Sequence, residues 1–225
     1  MATTANNIRN IAIVGHGGEG KTTLTEAILY NSGAIDRMGN VDNGTTVSDF
    51  DAEEISRKMS ISLSLSYANW KGVKLNILDV PGFYDFEGEM DSALRACGAV
   101  LVVMGANGSV TVGAEKAINL CLRNKKPLII FINGMDKENA DYTATVKALT
   151  EKYKSKIAPI QIPMMEGNKM TGIANALTGR TYRFTNTGPE QIPAPEIYQS
   201  DLETMLAALQ EAAAENDDVL LEKYF

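Results

Sequence analysis

The amino-acid sequence predicts an α/β fold with a mostly parallel sheet, helices on both faces, one antiparallel edge hairpin and a small α+β insertion. Three observations lead to this prediction. A glycine-rich stretch at 15–22 separates an apolar segment from an amphipathic one. Two continuous apolar runs, 99–104 and 127–132, are typical of strands buried in a parallel sheet. An alternating segment at 59–70 precedes a turn and an apolar segment at 73–77, as in a hairpin.

The first elements are a strand at 8–14 and a helix at 21–31, and the loop between them fits G-x-x-x-x-G-K-[ST], the phosphate-binding loop of P-loop NTPases. Glycines allow backbone N–H groups to point at a phosphate, and the following helix adds its positive end. Lys21 is predicted to reach the β- and γ-phosphates, and the Thr22 hydroxyl to ligate Mg²⁺. The alternative is a chance glycine turn, against which the flanking strand and helix argue. The loop residues are Gly15, His16, Gly17, Gly18, Glu19, Gly20, Lys21 and Thr22.

Residues 32–58, the first switch segment, have no sustained period and carry many charges. Long loops in compact domains are usually functional or mobile. Beside a phosphate-binding loop, we interpret this one as a segment ordered by the γ-phosphate and Mg²⁺. It leads into a half-exposed strand at 59–70, followed by a turn and the hairpin partner at 73–77. The alternating strand carries Ile61, Leu63, Leu65 and Tyr67 on one face and serines on the other.

The strand at 73–77 continues into Asp79-Val80-Pro81-Gly82, a D-x-x-G pattern. Asp79, at the end of a buried strand, is predicted to hold a Mg²⁺-bound water. Gly82 can offer its N–H group to the γ-phosphate without a side chain in the way. The pattern is common, but its position 58 residues after Lys21 makes it informative.

The strand at 127–132 ends in Asn133-Gly134-Met135-Asp136, an N-x-x-D pattern. In this position the pattern predicts recognition of guanine, because the aspartate can accept hydrogen bonds from N1–H and the exocyclic amino group. Adenine lacks that pair of donors. The alternative is a capped loop that leads into a helix carrying Tyr142, Val146, Leu149 and Tyr153.

The remaining chain changes in character. A strand is expected at 157–165, then a linker that contains Pro189, Pro193 and Pro195, and then an amphipathic helix at 200–215. Residues 185–225 carry nine acidic residues and one basic residue, whereas residues 1–184 are nearly neutral. We therefore predict two modules, 1–157 and 158–225. The helix either packs on its own small sheet or presents an acidic face to a partner.

Composition limits the class of protein. The net charge of −7 and the acidic C-terminal module argue against direct, sequence-specific binding of nucleic acid. The N-terminal residues do not resemble a signal peptide, and no apolar run is as long as a membrane span. Cys97 and Cys121, each among small apolar neighbours, are expected to be buried thiols. We expect a cytoplasmic protein.

Four stretches of the sequence together resemble translational GTPases of the elongation factor G group, and the phosphate loop resembles the elongation-factor-G-like branch. The resemblance covers essentially the whole chain. It implies binding of GTP and GDP with Mg²⁺, a ribosome partner, and an acidic insertion within the nucleotide domain. It also implies catalytic roles for Lys21 and Gly82, metal ligation by Thr22, Ser60 and, through water, Asp79, and nucleotide contacts from the segments that include Thr23, Val80, Pro81, Phe83, Gly134 and Met135. The stretches are 10–13, 22–26, 79–86 and 131–133.

The sequence departs from the pattern of that family at four positions. Phe83 stands where the family usually has the histidine that places the attacking water, so slow hydrolysis is expected. Gly134 replaces a lysine that covers one face of the base. Ser60 replaces a threonine that reaches Mg²⁺, and Gly18 stands where many members have an aspartate.

The favoured interpretation is a GTP-binding domain that hydrolyses GTP slowly, and we expect it to be an excised part of a longer protein. One alternative is a nucleotide-binding switch or scaffold that has lost hydrolysis, as Phe83 and Gly134 suggest. Another is a scaffold that binds no nucleotide. An ATP-using P-loop kinase is a weaker alternative, because Asn133 and Asp136 argue for guanine.

Overall fold

A five-stranded sheet is formed by residues between 8 and 133 in the computed structural model, which describes residues 4–215 and 218–224. The described residues form two compact units. The first comprises the residues up to Gly105 together with Val110–Gly134. The second comprises Ala106–Ser109 and the residues from Met135 onward. The predicted division into 1–157 and 158–225 remains a prediction.

The first unit alternates strands and helices. Its elements are β1 (Ile8–Gly15), α1 (Lys21–Asn31), α2 (Ala52–Arg57), β2 (Ser64–Trp70), β3 (Val73–Asp79), α3 (Glu87–Ala96), β4 (Ala99–Gly105), α4 (Val112–Arg123) and β5 (Leu128–Asn133). The strand order is β2-β3-β1-β4-β5; only the pairing of β2 with β3 is antiparallel. The predicted sheet with its edge hairpin is therefore confirmed. Parallel strands place their carboxyl ends at one edge, where the loops after β1, β3 and β5 meet.

Side chains from both faces of the sheet are buried in the first unit. On one face, Ile13 and Ile77 pack with Leu29 of α1. On the other, Ala12 and Val14 are also fully buried, where α3 and α4 pack against β1. Burial of alternate residues on both faces explains why β1 and β4 are continuous apolar runs.

The edge strand β2 differs from its predicted form. It begins at Ser64 rather than near residue 59, and its small side chains are the buried ones: Ser64 and Ala68 face the core. Leu65 and Tyr67, on the other face, are 71% and 59% exposed. Short side chains lie inward because α1 packs against this face of the hairpin.

Two further differences concern helices and exposure. The first switch segment, predicted as a loop, contains α2, which Asp51 and Glu54 start with a capping box. Helix α3 has no counterpart in the sequence-based prediction. Strand β5, predicted to be buried, is the other edge of the sheet, and its Ile129 and Phe131 are exposed.

The second unit is a small α+β structure, as the predicted insertion requires. It contains α5 (Tyr142–Tyr153), β6 (Gln161–Glu166), β7 (Lys169–Asn175), β8 (Thr181–Thr185), β9 (Gly188–Ile192), α6 (Glu196–Ala214) and α7 (Asp218–Tyr224). The four strands form one antiparallel sheet in chain order. Pro189, predicted to lie in a linker, is in the edge strand β9, where a missing N–H group is tolerated. Helix α6 packs against β7, so the alternative that it covers its own sheet is supported.

Several turns contain lysines with a positive φ angle. Among the described residues, all four non-glycine positions with positive φ are lysines: Lys58, Lys71, Lys125 and Lys154. Lys125 follows α4, and Lys71 forms the hairpin turn after Trp70 with its ammonium 5.6 Å from the centroid of the indole ring. Each of these lysines carries the strain that a glycine would avoid.

Both cysteines are buried and unpaired, as predicted. No helix in the described part of the chain is long and apolar enough to cross a membrane.

Candidate functional site

The loop between β1 and α1 is shaped by glycines at positive φ. Gly15, Gly18 and Gly20 have φ values of 145°, 76° and 89°. A side chain at Gly15 would overlap the carbonyl oxygen of Val103, and one at Gly20 would overlap the side-chain amide of Asn133. The loop therefore lies tightly against β4 and the end of β5, with its backbone free to turn around a small anion.

Helix α1 begins with two buried polar residues. Lys21 and Thr22 are 6% and 8% exposed. The Lys21 ammonium donates a hydrogen bond to the carbonyl oxygen of His16 at 2.8 Å, so it lies across the loop. Burial lowers the pKa of Lys21, while nearby Asp79, Glu19 and Asp49 oppose that change. A cation held inside a loop of backbone amides is suited to binding phosphate.

Hydroxyl and carboxylate oxygens converge beside Thr22. Its Oγ1 lies 3.2 Å from Oγ of Ser60, which donates a hydrogen bond of 2.7 Å to Oδ1 of Asp49. Burial raises the pKa of Asp49, and the bond from Ser60 opposes the increase. Ser60, which the family resemblance implies as a metal ligand, therefore lies beside Thr22.

Asp79, at the end of β3, is only 1% exposed. Neither of its carboxylate oxygens has a hydrogen bond of normal geometry among the described residues. Burial raises the pKa of Asp79 to about 6, although the nearby hydroxyls of Thr22 and Ser48 and the charge of Lys21 lower it. A buried carboxylate without hydrogen bonds of normal geometry is costly, and a cation or its bound water would reduce that cost.

These oxygen donors fit a hard divalent cation such as Mg²⁺. Among the described residues, no three acidic, histidine or cysteine side chains form a metal site by themselves. A cation here would therefore depend on hydroxyls, water and ligand phosphates, as Mg²⁺ sites commonly do.

The segment after Asp79 lies directly over the phosphate loop. A side chain at Gly82 would overlap the Lys21 ammonium and come within 2.7 Å of the Gly17 nitrogen. The Phe83 ring covers Gly17, since a Cβ atom there would be 2.8 Å from the ring. Phe83 is 42% exposed and has no polar atom, so it places an apolar surface over the phosphate end of the loop.

The end of β5 contacts the loop from another side. The Asn133 amide donates a hydrogen bond of 2.8 Å to the carbonyl oxygen of Glu19. Gly134 follows at φ 72°. Met135 and Asp136 belong to the second unit, where they form a turn with the Asp136 side chain exposed.

The structure thus brings most of the predicted residues together in the first unit. Thr23 is exposed on α1, and Val80 and Pro81 are buried between Asp79 and Gly82. Sequence reasoning missed four buried residues of the first switch segment and the adjoining helix: Glu26, Ser48, Asp49 and Glu54. The sequence does contain one indication that Glu26 lies near the site. Glu26 follows Thr22 by four residues, so the two side chains share one face of the helix.

A glycine-rich loop between a strand and a helix, followed by a buried Lys-Thr pair and facing an aspartate at the end of the neighbouring strand, defines a P-loop nucleotide-binding domain. Residues 6–217 match the family described as the Elongation factor Tu GTP binding domain. The chain therefore belongs to that family of GTP-binding domains.

A solved structure has the same fold. The crystal structure of a protein from Thermus thermophilus matches this chain with a TM-score of 0.89 and 35% sequence identity. The match covers 96% of this chain and 33% of the Thermus protein. The chain therefore spans a third of the length of that relative.

Proposed function

We propose that this domain belongs to a ribosome-associated, elongation-factor-G-like translation factor of the cytoplasm, and that it binds GTP and GDP with Mg²⁺ and hydrolyses GTP slowly. The observation that supports the proposal is the convergence of the Lys21 ammonium, the Thr22 and Ser60 hydroxyls and the buried Asp79 carboxylate beside the glycine loop. The ribosome partner rests on the sequence resemblance alone.

Each group has a role in this proposal. The backbone of Gly15–Gly20 surrounds the phosphates, and Lys21 neutralises their charge. Thr22 and Ser60 supply hydroxyl ligands for Mg²⁺, and Asp79 holds one of its waters. When bound, Mg²⁺ would neutralise charge on the β- and γ-phosphate oxygens. Gly82 donates its backbone N–H to the γ-phosphate.

The base contacts are assigned to Asn133 and Asp136. Asp136 accepts hydrogen bonds from the guanine N1–H and amino groups. Asn133 positions the loop through Glu19, and Gly134 leaves one face of the base without the lysine stem usual in this family. We therefore expect guanine selectivity at reduced affinity.

Hydrolysis requires water to attack the γ-phosphorus while the bond to the β–γ bridging oxygen breaks, which releases GDP and phosphate. Phe83 has no group that orients this water, and its ring covers Gly17. That contact also favours a second candidate function, a nucleotide-binding switch without hydrolysis. Single-turnover hydrolysis with and without ribosomes distinguishes the two.

Calorimetric titration with GDP, GTP and ADP, with and without Mg²⁺, tests the proposal. Binding of GDP and GTP but not ADP, strengthened by Mg²⁺, is the expected result. Asp136→Ala should lose the guanine preference, whereas Asp201→Ala, an exposed change on α6, should retain it. Absence of binding by any nucleotide at millimolar concentration would refute the proposed function.

A further inference from the structure

Helix α1 carries a buried carboxylate that none of the predicted nucleotide contacts involves. Glu26 is fully buried and lies four residues after Thr22, so the two side chains share one face of α1. Buried glutamates are rare unless their oxygens are satisfied. The contacts of Glu26 therefore indicate what it does.

Both oxygens of Glu26 accept hydrogen bonds from the backbone of the first switch segment. Oε2 accepts from the Gly39 N–H group at 2.7 Å, and Oε1 accepts from the Val47 N–H group at 2.6 Å. Hydrogen bonds to an ionised carboxylate are shorter and stronger than neutral ones. Glu26 thus holds both ends of the 39–47 loop on the helix that begins the phosphate site.

The chain is shaped to allow this contact. A side chain at Gly39 would be 2.7 Å from Oε2 of Glu26 and would overlap the carbonyl oxygen of Thr45. At position 39, only a glycine avoids these overlaps. The contact between Gly39 and Glu26 therefore depends on both residues.

The anchored end leads directly to a residue that holds one of the candidate metal ligands. Ser48 and Asp49 follow Val47, and Asp49 accepts the hydrogen bond from Ser60 that places this hydroxyl beside Thr22. A second buried carboxylate, Glu54, accepts from the backbone N–H groups of Asp51, Ile61 and Ser62 and fixes the far side of the same segment. The metal-binding arrangement is thus held by side chains of the protein itself.

We propose that Glu26 is a positioning residue that holds the first switch segment in its metal-binding arrangement before nucleotide binds. The γ-phosphate and Mg²⁺ then meet a segment that is already ordered. This inference deepens the proposed function, and its relevance to Mg²⁺ rests on that function, but the ordering itself does not need nucleotide.

Residue-resolved amide hydrogen exchange on the nucleotide-free, Mg²⁺-free chain tests the ordering without any variant. The Gly39 and Val47 amides should exchange at least about a hundredfold more slowly than unstructured amides. Exchange at unstructured rates until nucleotide is added would overturn the proposal. This measurement tests the ordering of the segment even if the chain binds no nucleotide. Absence of nucleotide binding would refute only the proposed function.

Glu26→Gln tests the carboxylate. The carboxamide keeps one acceptor oxygen and turns an N–H donor toward the second backbone N–H group, so exchange at Gly39 or Val47 should accelerate at least about tenfold. The factor by which Mg²⁺ strengthens GDP binding should also fall about tenfold, because the hydroxyl of Ser60 is no longer held. A merely structural residue would lower the melting temperature and leave that factor unchanged.

Matched variants complete the test. Glu53→Gln removes an exposed carboxylate of α2 that pairs with Arg57, and it should alter neither readout. Gly39→Ala should reproduce the effect of Glu26→Gln, and the double variant should add little. Gly88→Ala, in open space on α3, is the control for Gly39→Ala. If Glu26→Gln fails to fold, the exchange rates of Gly39→Ala and of the wild-type protein test the proposal instead. If the folded variants have the same exchange rates and the same effect of Mg²⁺ on GDP binding as their controls, the proposal is overturned.

Discussion

Asp79 shows, at the scale of a single residue, how a functional group reduces stability. Its carboxylate is buried and lacks a hydrogen bond of normal geometry among the described residues. Asp79→Asn removes the charge, so the free energy of unfolding of the nucleotide-free, Mg²⁺-free protein should rise by about 1–3 kcal/mol. The same variant should weaken Mg²⁺-dependent GDP binding. Denaturant unfolding and calorimetry measure the two opposite effects, and a variant that loses both stability and binding would contradict this account.

The same residue predicts a pH dependence. Burial raises the pKa of Asp79 to about 6 from its usual 3.8, so the folded state holds a proton that the unfolded state has released. Stability from this group is therefore full below about pH 4 and is lost as pH rises to about 6, a loss of up to about 3 kcal/mol. Unfolding of wild type and Asp79→Asn across this range measures it. A constant difference between the two proteins would show that Asp79 does not titrate there.

Phe83 sets the expected hydrolysis rate. Its ring covers Gly17 and cannot hold a water molecule by hydrogen bonding. Phe83→His supplies an imidazole that can, and single-turnover hydrolysis should accelerate at least about tenfold. Phe184→His, a similarly exposed phenylalanine on β8, is the matched control and should have no effect. Equal acceleration by Phe83→Ala would mean that removal of bulk, rather than the imidazole, is responsible.

The ends of helices determine stability at the scale of an element. Helix α4 ends at Arg123, and Lys125 adopts φ 51° while the Lys126 N–H group bonds back to Cys121. Lys125→Gly should stabilise the protein by about 0.5–1 kcal/mol, because glycine adopts this conformation without strain. Thermal unfolding checks it. Asn124→Gly, one residue earlier at φ −89°, should destabilise instead, because glycine only makes the unfolded chain more flexible there. Stabilisation by both variants would show that the positive φ of Lys125 is not the cause.

Elements with a strong local signal could be predicted from the sequence. The prediction for helix α1 matches its observed bounds because a glycine loop marks its start. Its buried residues are mostly polar, which the spacing of its apolar residues did not indicate. The alternation of β2 is also visible in the sequence, but not which face is buried. That choice depends on α1, whose Leu29 packs with Ala68, so that Leu65 and Tyr67 on the opposite face remain exposed.

The candidate site could be predicted only where a motif marks it. Lys21, Thr22, Asp79 and Asn133 stand in recognisable patterns. Glu26 bonds to backbone groups 13 and 21 residues away, and a backbone partner leaves no pattern in the sequence. Asp49 likewise became a candidate only when folding brought it to Ser60.

At the scale of the whole molecule, the open edge of the sheet predicts self-association. Strand β5 ends the five-stranded sheet, and its Ile129 and Phe131 are 59% and 39% exposed. Exposed apolar edges pair with other chains, so light scattering should show association that grows with protein concentration. Ile129→Lys should suppress it, whereas Ile197→Lys on α6, which removes an even more exposed isoleucine, should have less effect. Equal suppression by both would indicate that net charge rather than the edge is the cause.

The chain has one tryptophan, Trp70, half exposed at the end of β2 with the Lys71 ammonium near its ring. Its fluorescence therefore originates in the first unit, while tyrosines such as Tyr153 and Tyr182 lie in the second. The emission of Trp70 is a built-in optical label for one unit, and circular dichroism sums both. If the melting curves from fluorescence and circular dichroism coincide, the two units unfold together. If the curves differ, the fluorescence curve gives the transition of the first unit, so the earlier transition can be assigned to a unit without any added dye.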